Sequence, residues 1–137
     1  MQQYKLISKI QTAILSTLLL VSNSFADDDI GSIVESIGVG QILRNNEEIK
    51  VSNNIPVQLN DVAETGKGKM LIEFLDKAQL SLKEHTEVLI DEVYYDADPS
   101  LSKMTMKFTM GTARFASGRL GLVNKANIDI STPTASI

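Results

Sequence analysis

The chain has 137 residues, with 17 acidic against 13 basic side chains, a formal net charge of −4 and no cysteine. The missing cysteines exclude disulfides, thiolate metal sites, a cysteine nucleophile and the lipid-bearing cysteine of a lipoprotein. The acidic balance makes nucleic acid an unfavourable ligand, because phosphates are held by clustered lysine and arginine.

Residues 1–26 have the three-part layout of a secretory signal peptide. Lys5 and Lys9 give a positive start, Ile10 to Val21 runs mostly apolar and uncharged, and small Ser24 and Ala26 precede the acidic run Asp27-Asp28-Asp29. Cleavage is expected between Ala26 and Asp27. An uncleaved anchor would need about 20 apolar residues, more than this core supplies, and no later segment is longer. Removing Lys5 and Lys9 takes the basic count from 13 to 11 against 17 acids, so the net charge moves from −4 to −6. The remaining residues, 27–137, are expected to form one exported domain, periplasmic or secreted. An exported domain without disulfides suits a Gram-negative periplasm.

Along 27–137 the dominant pattern is period-two alternation, the mark of half-buried strands. Met70, Ile72 and Phe74 form one face, and Ala78, Leu80 and Leu82 the next. Met104, Met106, Phe108 and Met110 alternate with Lys103, Thr105, Lys107 and Thr109, which predicts a core stripe rather than a soft-metal site. Ala113 with Phe115, and Ile128 with Ile130, repeat the pattern. Turn signals separate these runs: Asn45-Asn46, Asn53-Asn54, Asn60-Asp61, Gly66-Lys67-Gly68, Asp76-Lys77, Asp98-Pro99-Ser100 and Ser117-Gly118. No helical periodicity follows the leader. The expected fold is all-β, a β-solenoid-like stack of short strands, with a β-sandwich as the alternative that alternation leaves open.

The chemistry-bearing residues are sparse. His85, the only histidine, is expected on an exposed turn, and no nucleophile elbow accompanies it. Asp91, Glu92, Asp96 and Asp98 form the densest acidic patch, without the ligand spacing of a calcium loop. Gly66-Lys67-Gly68-Lys69 lacks a phosphate-loop pattern and reads as a hairpin turn. Gly111, Gly118 and Gly121 are expected to supply unusual backbone angles at corners. Arg114 should face away from Ala113 and Phe115, where it could pair with a partner's carboxylate, and Arg119 is a second exposed candidate. Of Tyr94 and Tyr95, one ring should face the core and the other be free to meet a partner. No catalytic residue, cofactor or metal is expected.

From Glu64 onward the chain resembles the FecR-domain family. The matching text is Glu64-Thr65-Gly66, then Met70 to Asp76, Ala78-Gln79-Leu80-Ser81-Leu82, and Val88 to Tyr95-Asp96. Met110 to Gly118 resembles the family's glycine, arginine-aromatic, serine-glycine segment, and Ile130 to Ile137 its threonine-proline-x-alanine strand; upstream, Ile33 to Leu43 and Val57 to Thr65 fit the family's earlier strands more loosely. The resemblance implies a compact, solenoid-like β domain. The family continues beyond that strand, so residues 27–137 are expected to be incomplete at the carboxy end. Its signalling members carry a transmembrane helix and a sigma-factor-binding region before the domain; here a signal peptide precedes it, and sigma-factor control is not carried over.

The expected function is a non-catalytic binding, sensing or scaffolding module of the cell envelope. Recognition would use open strand edges and flat faces, with Tyr95, Arg114 and Arg119 as partner-binding candidates. The expected partner is another envelope protein, with peptidoglycan or a polysaccharide as a second possibility. The alternative function is a glycan-binding or glycan-hydrolysing protein built on Asp91 to Asp98.

Overall fold

A computed structural model describes residues 29–133 together with 135 and 136, so the leader and its Ala26–Asp27 junction lie outside the described residues. The chain is all-β. Its strands are β1 (Gly31–Arg44), β2 (Glu47–Lys50), β3 (Pro56–Val57), β4 (Val62–Phe74), β5 (Gln79–Leu82), β6 (Glu87–Tyr94), β7 (Lys103–Met110), β8 (Ala113–Ala116), β9 (Ile128–Thr132) and β10 (Ala135–Ser136). They join in one mixed sheet; β7 and β9 run parallel and the other pairings are antiparallel. Among the described residues no helix is long and apolar enough to cross a membrane.

The framework is a long antiparallel ribbon of β1 and β4. Asn45 and Asn46, both at positive φ (52° and 67°), turn β1 into β2 through the two-residue hairpin that asparagine tolerates best. Two branches leave the ribbon. The first half of β4 pairs with β6, which continues through β7 and β9 to β10. The second half pairs with β5, and β5 with β8. Both branches contribute to one core, which includes Ile33, Ile42, Met70, Ile72, Phe74, Leu80, Leu82, Val88, Ile90, Met104 and Met106.

Two compensating register shifts let one ribbon serve both branches. Ile33 stands opposite Ile72 but Glu35 opposite Leu71, so β1 holds an extra residue at Val34. Gly38 stands opposite Gly68 but Gly40 opposite Thr65, so β4 holds an extra residue at Gly66-Lys67. Side chains alternate with period two, and each bulge therefore swaps the inward set. In β4 the buried residues change from Phe74, Ile72 and Met70 to Thr65 and Ala63. The predicted turn at Gly66-Lys67-Gly68 is thus the interior of a strand. Glycine is needed because the backbones cross closely: Gly38 has φ +77°, and a Cβ there would lie 2.3 Å from the Lys67 carbonyl oxygen.

Bulges also explain two departures in β6 and β7. Glu87 pairs with Met110 and Val88 with Phe108, leaving Thr109 as an extra residue. Met110 is thereby turned out of the predicted stripe and is 56% exposed, while Met104 and Met106 are fully buried. Asp91 is the extra residue of β6, after which Val93 takes the inward position. The expectation of no helix is corrected at one corner. Arg119–Val123 form a short helix, α1, and 3-10 turns occupy Pro99–Leu101 and Lys125–Asn127.

Asp61, fully buried just before β4, is held by Arg44 from the end of β1. Arg44 donates through Nε (2.9 Å) and Nη2 (2.8 Å) to the two carboxylate oxygens, and Nη2 also reaches the Pro56 carbonyl at 2.9 Å. This two-point geometry fixes where β1, β3 and β4 meet.

Candidate functional site

A second buried aspartate, Asp76, closes the other end of β4. It is 7% exposed. Its Oδ1 accepts from the Ala78 backbone N–H (3.0 Å) and the Tyr95 hydroxyl (3.1 Å), and its Oδ2 from the Leu120 N–H (3.3 Å). Its carbonyl accepts from the Arg119 N–H at 2.8 Å. One residue therefore ties the β4–β5 turn to α1 and to the end of β6. Gly118 makes room for this junction: a Cβ there would lie 2.2 Å from the Asp76 carbonyl oxygen.

Beside this junction is a cavity of about 290 Å³, lined by Leu75, Asp76, Tyr95, Pro99, Arg119 and Leu120 among others. Burial, followed by the charge of Asp76 and its hydrogen bond, pushes the Tyr95 hydroxyl above the ordinary tyrosine range. Tyr95 is thus a protonated donor committed to Asp76. The lining is mixed, since Asp96 and Ser102 also contribute to it; among the described residues the exposed Arg119 side chain makes no ion pair, and its main chain is tied to Asp76. Near by, α1 packs on the 3-10 turn Pro99–Leu101. These two turns expose Leu101, Leu122 (85% exposed) and Val123. Asn127 locks the corner, donating through Nδ2 to the Ser100 and Ser102 carbonyls at 2.7 and 2.8 Å.

The structure brings two of the three expected partner-binding residues together: Tyr95 and Arg119 line the same cavity. Arg114 is elsewhere, exposed on β8 opposite Ser81. Arg119 opens a helix rather than flanking a strand edge. Of the tyrosine pair, Tyr95, the partner-binding candidate, is the ring half-buried against the core, and Tyr94 is the exposed one. Tyr94 donates to Asp96 Oδ2 at 2.7 Å, and that bond raises its hydroxyl above the usual range.

The acidic patch is dispersed among separate structural tasks. Asp91 pairs with Lys107 (2.7 Å) and Glu92 with Lys103 (2.9 Å). Asp96 accepts from the Asp98 N–H at 2.8 Å and from Tyr94, which hold its carboxyl below the usual range. Asp98 caps the 3-10 turn through the Ser100 N–H at 3.0 Å. His85 is on an exposed turn at φ 52°, donating its N–H to the Gly66 carbonyl. Among the described residues no three histidine, aspartate or glutamate side chains converge as a metal site would require. Of the three corner glycines, Gly111 has a positive φ of +100°, and Gly118, at φ −94° and ψ −143°, lies outside the ordinary helical and extended regions. Gly118 and Gly121 are places of close approach.

Asp76 and Leu120 escaped the sequence reading as site residues. Asp76 looks like a turn aspartate, and its partner Leu120 is 44 residues away along the chain. Comparison with protein-family models, with curated proteins and with solved structures finds no match to this chain.

Proposed function

We propose that this chain is an exported, non-catalytic FecR-type domain that binds another protein of the bacterial envelope at the Asp76 corner. The observation carrying this reading is that Tyr95 and Arg119, remote in sequence, meet in one cavity beside the exposed Leu101, Leu122 and Val123. Such a corner can seat an apolar side chain of the partner while Arg119 meets a carboxylate. The internal use of Asp91, Glu92, Asp96 and Asp98 in ion pairs and turn caps favours a binding role for the chain over glycan hydrolysis at that patch.

The finer fold reading is a solenoid-like stack, supported by the parallel pairing of β7 with β9, the arrangement that successive coils adopt. A crystal structure in which the two branches form separate facing layers would favour the sandwich.

A photo-crosslinking residue placed at Arg119 or Leu122 should trap one reproducible envelope protein in living cells. Absent or scattered adducts would contradict the reading. Converting Asp91, Glu92, Asp96 and Asp98 together to alanine should leave glycan retention and turnover unchanged; their loss in a folded variant would move the function to the acidic patch. Export is checked by intact mass from the envelope fraction, which should begin at Asp27.

A further inference from the structure

The outer faces of the two branches carry like-charged pairs of opposite sign. On the branch of β2, β1, β4 and β6, the register sets Glu64 directly opposite Glu87. Glu48 lies in the neighbouring row, opposite Leu43. These three point away from the core because Ala63, Val88 and Ile49 point into it. Glu64 accepts from Gln41 Nε2 at 2.7 Å, but among the described residues no cation pairs with Glu48, Glu64 or Glu87. Two lysines border these rows: Lys50, opposite Gln41, and Lys107, opposite Leu89 and paired with Asp91.

On the other branch, Met70 stands opposite Leu82, so Lys69 and Lys83 come next in line, both exposed. Arg114 follows one row on, opposite Ser81. Among the described residues Lys69, Lys83 and Arg114 make no ion pair. Glu35, opposite Leu71 in the row of Ser81 and Arg114, makes no ion pair among the described residues, and Glu73 is held by Lys77 at 2.9 Å.

Like charges directly opposite across two strands are destabilising, and they stand about 5 Å apart whichever sign they carry. A surface with the opposite charges at that spacing relieves the repulsion, and each branch has the spacing the other needs. The bulge at Gly66-Lys67 makes this possible: Glu64 and Lys69 are five residues apart, yet both point outward.

We propose that copies of this chain associate head to tail, the Lys69–Lys83–Arg114 face of one copy seated on the Glu48–Glu64–Glu87 face of the next. Apolar neighbours supply the dry part of the contact: Ile37, 56% exposed and opposite Lys69, on one face, and the row Leu43, Val62 and Leu89 on the other. The two surfaces differ, so the contact is heterologous and builds rings or open chains of copies instead of a two-fold dimer. This inference stands apart from the Asp76 corner.

The test is sedimentation velocity on protein obtained by expressing the full chain. Species larger than the monomer should appear at low salt and dissolve at high salt, where exposed charges are screened. The double variants Lys69→Glu/Lys83→Glu and Glu64→Lys/Glu87→Lys should each associate at least tenfold more weakly, with an unchanged circular dichroism spectrum. Mixed in equal amounts, the two should associate again, because the reversed pair of each variant is complementary to the reversed pair of the other. A wild-type chain that remains monomeric at low salt would overturn the proposal, as would a mixture of folded variants that stays monomeric. Tight binding of polygalacturonate by a monomeric wild type, abolished in Lys69→Glu/Lys83→Glu, would assign the basic face to an acidic polysaccharide instead.

Discussion

At the start of β4 the buried carboxylate of Asp61 meets a guanidinium; at its end the buried carboxylate of Asp76 meets two N–H groups and a phenol. The first arrangement neutralises charge with charge, and it locks β1 to β4 through two parallel bonds. The second leaves a carboxylate that, among the described residues, is met by neutral donors, and burial followed by that charge holds the neighbouring tyrosine in its protonated form. A closed ion pair suits a structural joint. A carboxylate satisfied by neutral donors suits a corner with an open cavity, because Arg119 stays available outside it.

The largest expected effect is at the joint that both branches share. Gly38→Ala forces a Cβ against the Lys67 carbonyl at positive φ and should cost about 3 kcal/mol or more. Gly66→Ala, whose Cβ would meet Val39 Cγ1 at an ordinary 3.4 Å, should cost less than about 1 kcal/mol. Urea unfolding of the two variants checks the ratio; equal losses would mean that the ribbon lacks the proposed crossing.

The next comparison is between the two aspartates. Asp61→Asn removes the buried carboxylate that Arg44 holds at two points and should cost about 3 kcal/mol. Asp76→Asn keeps one acceptor oxygen and breaks no ion pair, so about 2 kcal/mol is expected. The same denaturation series should place Asp61→Asn first.

A smaller loss, about 1 kcal/mol near neutral pH, is expected for Tyr95→Phe, which keeps the ring and removes the bond to Asp76. The sign of its pH dependence follows from the raised hydroxyl. The native state favours protonated Tyr95, so that stabilisation is complete below the unfolded tyrosine value of about 10 and is lost as pH rises above it. Wild type should therefore lose stability above that pH more steeply than Tyr95→Phe. At the bottom of the scale, Lys107→Ala breaks an exposed pair with Asp91 and should leave the unfolding midpoint unchanged within error.

Much of the strand content was legible because alternation reports burial directly. Met70, Ile72 and Phe74, Leu80 and Leu82, and Met104 and Met106 are all buried as their spacing predicts. What alternation hides is a change of parity. Val34, the Gly66-Lys67 step, Asp91 and Thr109 each insert a residue, and a bulge has no fixed sequence signature. That is why β1 reads loosely, why glycines inside β4 resemble a turn, and why Met110 leaves its stripe. The candidate site was half legible. The identities of Tyr95 and Arg119 marked them, but their meeting depends on Asp76 bonding to α1 across 44 residues, a contact that no local pattern records. The charged faces were hidden for the same reason as the bulges, since they require knowing which side of β4 each residue takes.

The measurement that bears most directly on all of this is the register of β1 against β4 in solution, read from cross-strand proton contacts by NMR. The double-bulged ribbon predicts backbone contacts of Ser36 with Met70, Gly38 with Gly68 and Gly40 with Thr65. An unbroken register continuing from Ile33–Ile72, which would set Glu35 against Met70 and Ile37 against Gly68, would contradict it and put Glu64 and Lys69 on opposite sides of β4.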